Sequence, residues 1–245
     1  MTANAKLLTG KTALVTGAAK RIGRSIALLL AEAGADVAIT YRDSAAAAEE
    51  TVRELESRGV AASAHRCNLD HPGEILAAME SVIKQHRSLD VLVNNAGRFA
   101  SIALDEISPE EWDCMFSANT RGPFLMAQAA LPHLRATRGR VINIGSLGGL
   151  EPWATHAHYC TSKAAMHMLS KTMAKAWAPE ISVNCIAPGM IVQGEVGSAY
   201  QHFADRTPMK RNGTGDDVAK AALFFATGPH FITGQVLAVD GGLGL

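Results

Sequence analysis

The chain of 245 residues is 48% hydrophobic and 19% charged, which is enough apolar material for the core of one large α/β domain and too much for a disordered chain. Lys plus Arg and Asp plus Glu both number 23, so no summed charge recommends a nucleic acid or an anionic membrane, and the expected partner is a small-molecule substrate. Residues 1–11 lack the apolar stretch of a secretory signal and no run approaches the roughly 18 apolar residues of a membrane span, so a cytoplasmic protein is expected; Cys67, Cys114, Cys160 and Cys185, with no CxxC among them, are read as reduced packing residues.

In chain order, short β-branched apolar runs fall at 12–16, 36–41, 61–65, 91–93, 140–144, 182–187 and 235–239. The segments between them carry helical period: Ile26, Leu29, Leu30 and Ala33 mark one face of the first, and Val52, Leu55 and Val60 do so less cleanly for the second. Two long helices are expected over 109–134 and 158–177. This alternation predicts successive βαβ units, hence a single-domain, doubly wound parallel sheet of about seven strands with helices on both faces. The stretch 189–213, interrupted by Gly194, Gly197, Pro208 and Gly213, reads as neither strand nor helix and is expected to be a lid over the substrate.

The first strand runs into Thr16-Gly17-Ala18-Ala19-Lys20-Arg21-Ile22-Gly23, directly ahead of a helix expected at 25–33. Small residues at such a turn let the backbone approach a pyrophosphate, and the helix N-terminus offers N–H donors. Gly17 and Gly23 alone do not make the GxGxxG fingerprint and would also suit a plain turn. In this architecture the end of the second strand lies beside the adenine ribose. There the chain reads Arg42-Asp43: Arg42, with Lys20 in reach, suits the 2′-phosphate of NADP(H), whereas Asp43 suits the 2′-hydroxyl of NAD(H). Two cations against one anion favour NADP(H); a solvated Arg42–Asp43 pair is the other reading.

Tyr159 and Lys163 stand four apart in an expected helix and so project from one face. An ammonium close to a phenol would lower its pKa from near 10 and make it a usable acid or base near neutrality. Ser146 follows the strand at 140–144, at the carboxyl edge of the sheet where ligands bind. Asn94-Asn95-Ala96-Gly97 ends the fourth strand, and Asn119 is expected in the helix after it. His156 and His158 alternate before Tyr159, but no third ligand stands at a recognised spacing, so no metal is expected.

The turn at 16–23, with Arg21 in place of the middle glycine of TGxxxGxG, resembles that of the short-chain dehydrogenase/reductase family. Asn119, Ser146, Tyr159 and Lys163 match the family's catalytic tetrad, and Pro188-Gly189 and Val239-Asp240-Gly241-Gly242 match its later motifs, so the resemblance covers the chain from Lys11 to Leu245. It implies hydride transfer between a nicotinamide dinucleotide and a carbonyl or imine, with Ser146 holding the substrate oxygen, Tyr159 donating the proton, Lys163 holding tyrosine and ribose, and Asn119 anchoring a water. It implies cofactor contacts from Gly17, Lys20, Arg21 and Ile22, from Arg42, from Asn68 and Leu69, from Asn95, Ala96 and Gly97, from Tyr159 and Lys163, and from Pro188, Gly189 and Ile191. The family commonly has PGxIxT, whereas Gln193 stands at the threonine position here. The family also implies a homotetramer built through two long helices.

Arg21, Phe99 and the stretch 132–139 resemble the pteridine-reductase branch, in which an aromatic at the Phe99 position stacks on the pterin; Ser146, where that branch commonly has aspartate, and the stretch 207–211 point instead to a 3-oxoacyl carrier-protein reductase or a generalist carbonyl reductase. Fold and tetrad do not fix the substrate, and the generalist reading comes first. Phe99, Ser146, Trp153, Tyr159 and Met190 are the expected substrate contacts. A non-catalytic NADP-sensing protein would share the fold without needing the tetrad.

Overall fold

In a computed structural model that describes residues 6–192 and 198–245, the apolar runs form seven strands: β1 (Thr12–Val15), β2 (Asp36–Tyr41), β3 (Ala62–Arg66), β4 (Val91–Asn94), β5 (Arg140–Ile144), β6 (Ser182–Pro188) and β7 (Val236–Val239). All pair in parallel, in the order β3-β2-β1-β4-β5-β6-β7. Each boundary falls within one residue of the sequence reading. The helices are α1 (Arg21–Glu32), α2 (Ala45–Glu56), α3 (Pro72–His86), α4 (Pro109–Phe116), α5 (Gly122–Thr137), α6 (Ala157–Trp177), α7 (Ser198–Arg206) and α8 (Gly215–Thr227). Among the described residues no helix is long and apolar enough to cross a membrane. All four cysteines are free, and Cys67 and Cys185 are buried.

The alternation of side chains along a strand divides the core in two. In β1, Ala13 and Val15 face one layer with Ile26 and Leu30 of α1, Leu55 of α2 and Phe225 of α8. Leu14 faces the other, with Met79 of α3, Leu134 of α5 and Met173 of α6. Chain connections run to opposite sides of the sheet on either side of the β1–β4 pair, which opens a crevice beyond the carboxyl ends of those strands.

Two expectations are corrected. The helix predicted over 109–134 is two helices, α4 and α5, joined by a π-helical turn at Ser117–Arg121 in which Gly122 N–H reaches back to the Ser117 carbonyl. Asn119 sits in that turn, not in regular helix. Pro123, four residues on, has no N–H to give the Asn119 carbonyl, so the α-helical ladder cannot close there. The stretch read as structureless contains α7, and its flank is tied by an isolated parallel bridge between Ile191 and Gly213. Gln193 lies outside the described residues.

Candidate active site

The turns after β1 and β4 clasp each other at the crevice. The Thr16 hydroxyl accepts from the backbone N–H groups of Asn95 and Ala96, both at 3.0 Å, and the Asn95 amide donates to the carbonyls of Thr16 at 2.9 Å and Gly17 at 3.2 Å. Gly17 has φ +63°, and a Cβ there would lie 2.9 Å from Ala96 Cα, so both conformation and clearance call for glycine. Thr16 was not singled out from the sequence, although its place ahead of Gly17 was the available signal. The first turn of α1 carries no acid, and Arg21, where the family pattern has glycine, holds φ +55°.

A groove of about 610 Å³ runs along this edge. Gly17, Lys20, Arg21 and Ile22 line its middle, and Asn95, Ala96, Gly97 and Phe99 one end. Arg42, Asn68 and Leu69 line the other end. At that end Arg42 Nε is paired with Asp43 at 2.5 Å, both side chains at least half exposed, which is the surface pairing held open above. Asn68 Oδ1 already accepts from Asp70 N–H at 3.1 Å, so one lone pair of that oxygen is committed to the local turn. Pro188 closes β6; Gly189 is pressed on Asp240, where a Cβ would meet Asp240 Cα at 2.9 Å. Ile191 is held by the bridge to Gly213, and the Met190 carbonyl accepts from Gly213 N–H at 2.9 Å.

Ser146, Tyr159 and Lys163 converge beyond the ends of β5 and β6. The Ser146 hydroxyl oxygen accepts from Gly148 N–H at 3.1 Å. Burial raises the Tyr159 phenol above its usual value, and the nearby Ser146 hydroxyl pulls it back. Where Lys163 was expected to lower the phenol, burial is the largest influence on it: the Lys163 ammonium donates to the Ile144 carbonyl at 2.8 Å and stands 5.9 Å from the phenol ring centroid. Burial brings Lys163 itself down to about 8. The Asn119 amide is occupied by the chain beside β4, accepting from Arg98 N–H at 2.7 Å and donating to the Arg98 carbonyl at 3.0 Å and to Ser162 Oγ at 3.0 Å. It therefore fixes the segment that carries Gly97 and Phe99.

Aromatic rings wall the Tyr159 phenol. Phe99 meets it edge-on at 4.8 Å, and Trp153 lies nearly parallel at 6.0 Å. His156 touches both, at 4.8 Å from Phe99 and 5.7 Å from Trp153, and so belongs to the pocket wall. Phe99 remains 63% exposed, which leaves a ring face open beside the phenol.

Sequence reading missed His167, one turn beyond Lys163 on α6 and 5% exposed. Burial, then the nearby charges of Lys163 and Lys171, push its pKa down to about 4 from 6.5. The folded state therefore prefers the neutral ring, and stability is intact above pH 6.5 and is lost as the pH falls toward about 4. The difference corresponds to about 3 kcal/mol. Urea unfolding at pH 7 and pH 4.5 should show a smaller pH loss in His167→Gln than in wild type; His65 and His86, also lowered by burial, are common to both proteins and cancel.

Comparison with known proteins gives matches along nearly the whole chain. A family model described as Enoyl-(Acyl carrier protein) reductase matches residues 17–244. A 3-oxoacyl-[acyl-carrier-protein] reductase FabG of Staphylococcus epidermidis is 38% identical over 240 residues, 95% of this chain and 98% of that one. Among solved structures, a 7α-hydroxysteroid dehydrogenase complexed with NADH and 7-oxo glycochenodeoxycholic acid superposes with a TM-score of 0.91 at 31% identity, covering 99% of this chain and 98% of the other. A blue fluorescent protein from a metagenomic library in complex with NADPH superposes with a TM-score of 0.90 at 33% identity, covering 96% and 98%.

Proposed function

Because the chain belongs to the short-chain dehydrogenase/reductase family, we propose that it is an NADP(H)-dependent reductase that delivers hydride to a carbonyl or imine carbon of a small organic substrate, with Tyr159 as proton donor. The observation that carries this reading is the meeting of Ser146 and Tyr159 at the carboxyl edge of the sheet, with Lys163 buried behind them. The groove beside them suits a dinucleotide: Gly17 allows close backbone approach, and Lys20, Arg21 and Arg42 supply cations for phosphate groups.

When bound, the nicotinamide supplies the hydride. Tyr159 gives its phenolic proton to the substrate oxygen. Ser146, whose oxygen lone pair is engaged by Gly148 N–H, keeps its own hydrogen to donate to the same oxygen. Lys163 stabilises the phenolate by its charge, which is half lost by about pH 8. Asn119 holds the Arg98 backbone, and with it the aromatic wall at Phe99.

Generalist carbonyl reduction is the first reading. The relative named as an acyl-carrier-protein reductase supports 3-oxoacyl thioesters as an alternative, and the exposed Phe99 face supports flat rings such as pterins. Purified protein with NADPH and a panel of ketones, quinones, dihydrobiopterin and acetoacetyl thioesters, followed by NADPH absorbance, tests these. Turnover of ketones or quinones is expected. Bound cofactor without turnover of anything would make the chain a sensor instead.

A homotetramer is part of the proposal. Trp112, Phe124 and Met168 leave apolar surface on α4, α5 and α6, the helices through which the family assembles. Light scattering at micromolar concentration is expected to give four times the 25.8 kDa chain mass, and a monomeric mass would contradict it.

A further inference from the structure

We propose that His167 is the positioning residue of Ser146, holding the serine's backbone in place from the next turn of α6. This rests on the reductase reading for its kinetic consequence and on geometry alone for its structural one. Tyr159, Lys163 and His167 follow at four-residue steps on α6 and therefore share a face. The Ser146 backbone N–H donates to His167 Nε2 at 3.4 Å. The segment from Gly145 to Gly149 wraps the ring on two sides. A Cβ at Gly145 would lie 2.6 Å from His167 Cδ2, and one at Gly149 would lie 2.6 Å from His167 Cε1. The two glycines are thus the clearance that admits an imidazole between the serine loop and α6.

An Nε2 that accepts must be unprotonated, so the ring is neutral with its proton on Nδ1, a buried nitrogen that has no hydrogen-bond partner among the described residues. Burial beside Lys163 favours the same state, because a second cation there would be costly. With the serine backbone held by the ring and one lone pair of the serine oxygen engaged by Gly148 N–H, the Ser146 hydroxyl keeps its hydrogen available for Tyr159 or the substrate oxygen. His167 touches none of the reacting atoms; it acts through Ser146.

The test compares His167→Phe, which keeps a ring but loses the acceptor, His167→Leu, which loses both, and His167→Gln, whose side-chain oxygen can accept the same N–H. In the Phe and Leu variants kcat should fall about 10-fold, KM for NADPH should stay within about twofold, and hydrogen exchange of the Ser146 amide should quicken about 10-fold, the loss of one neutral hydrogen bond. His167→Gln should restore kcat and exchange to within about threefold of wild type. Equal losses in all three variants, or wild-type kcat and exchange in the Phe variant, would overturn the assignment. If the Phe and Leu variants do not fold, the histidine 15N spectrum of the wild type decides: Nε2 unprotonated is expected, and a proton on Nε2 refutes the bond. Exchange and the 15N spectrum need no substrate, so a wild type that reduces nothing on the panel defeats the reductase reading without deciding this one.

Discussion

Replacing Tyr159 with Phe is expected to lower turnover by at least about 10²-fold while leaving NADPH binding within a few-fold, the loss ordinarily ascribed to removing an acid–base group. The substitution keeps the ring, and with it the edge contact of Phe99 at 4.8 Å and the parallel Trp153 at 6.0 Å, so the aromatic wall should survive. What disappears is the phenolic hydroxyl proposed as the proton donor. The wild-type reductive rate should also decline as the pH rises through about 8, because Lys163 then loses the charge that stabilises the phenolate. Turnover by NADPH absorbance and binding by cofactor fluorescence measure the two halves. Near-normal turnover in the variant would remove Tyr159 from the chemistry.

Arg42→Ala is expected to raise KM for NADPH about 10- to 150-fold and leave NADH almost untouched, since a charge-assisted contact to a phosphate contributes roughly 1.5 to 3 kcal/mol. Lys20 and Arg21 line the same groove and should hold the loss toward the lower end. The Arg42–Asp43 pair adds a second, opposite expectation. Asp43 competes with the phosphate for the guanidinium, so Asp43→Ala should increase the preference for NADPH. The ratio of kcat/KM for the two cofactors, before and after each change, is the measurement. A wild type that prefers NADH would mean that Asp43 outweighs the cations; an unmoved ratio in Arg42→Ala would leave Arg42 as a surface residue.

Strands were legible because a sheet covered on both faces needs continuous apolar runs, and these end where the chain turns: 36–41 and 140–144 coincide with β2 and β5. The helix at 109–134 was misread for a local reason that the sequence did contain, the missing N–H of Pro123. Helix α7 was hidden by the glycines and proline around it, which read as a loop although 198–206 holds none. At the site, the order of Asn119, Ser146, Tyr159 and Lys163 was legible, yet the state of the pair was not. Spacing brings Lys163 near Tyr159, but only the folded chain supplies the Ile144 carbonyl that the ammonium takes and the burial that raises the phenol. His167 stayed hidden for the same reason, since its partners Gly145, Ser146 and Gly149 come from another element.

The left-handed backbone at Arg21 means that this turn stores free energy. An L-residue with a side chain costs roughly 1–2 kcal/mol in that conformation where glycine costs nothing. A cation at the start of a helix opposes the helix dipole by a further 0.3–1 kcal/mol or so; Lys20 precedes Arg21 and the first turn holds no acid, while Arg24 is paired with Glu54 of α2. Both terms are local and unfavourable in the bare chain. A phosphate seated there reverses the electrostatic one, so ligand affinity and fold stability become two expressions of a single linkage. The melting temperature of this protein should climb with NADPH concentration, and Arg21→Gly should raise the starting point of that climb while flattening its slope.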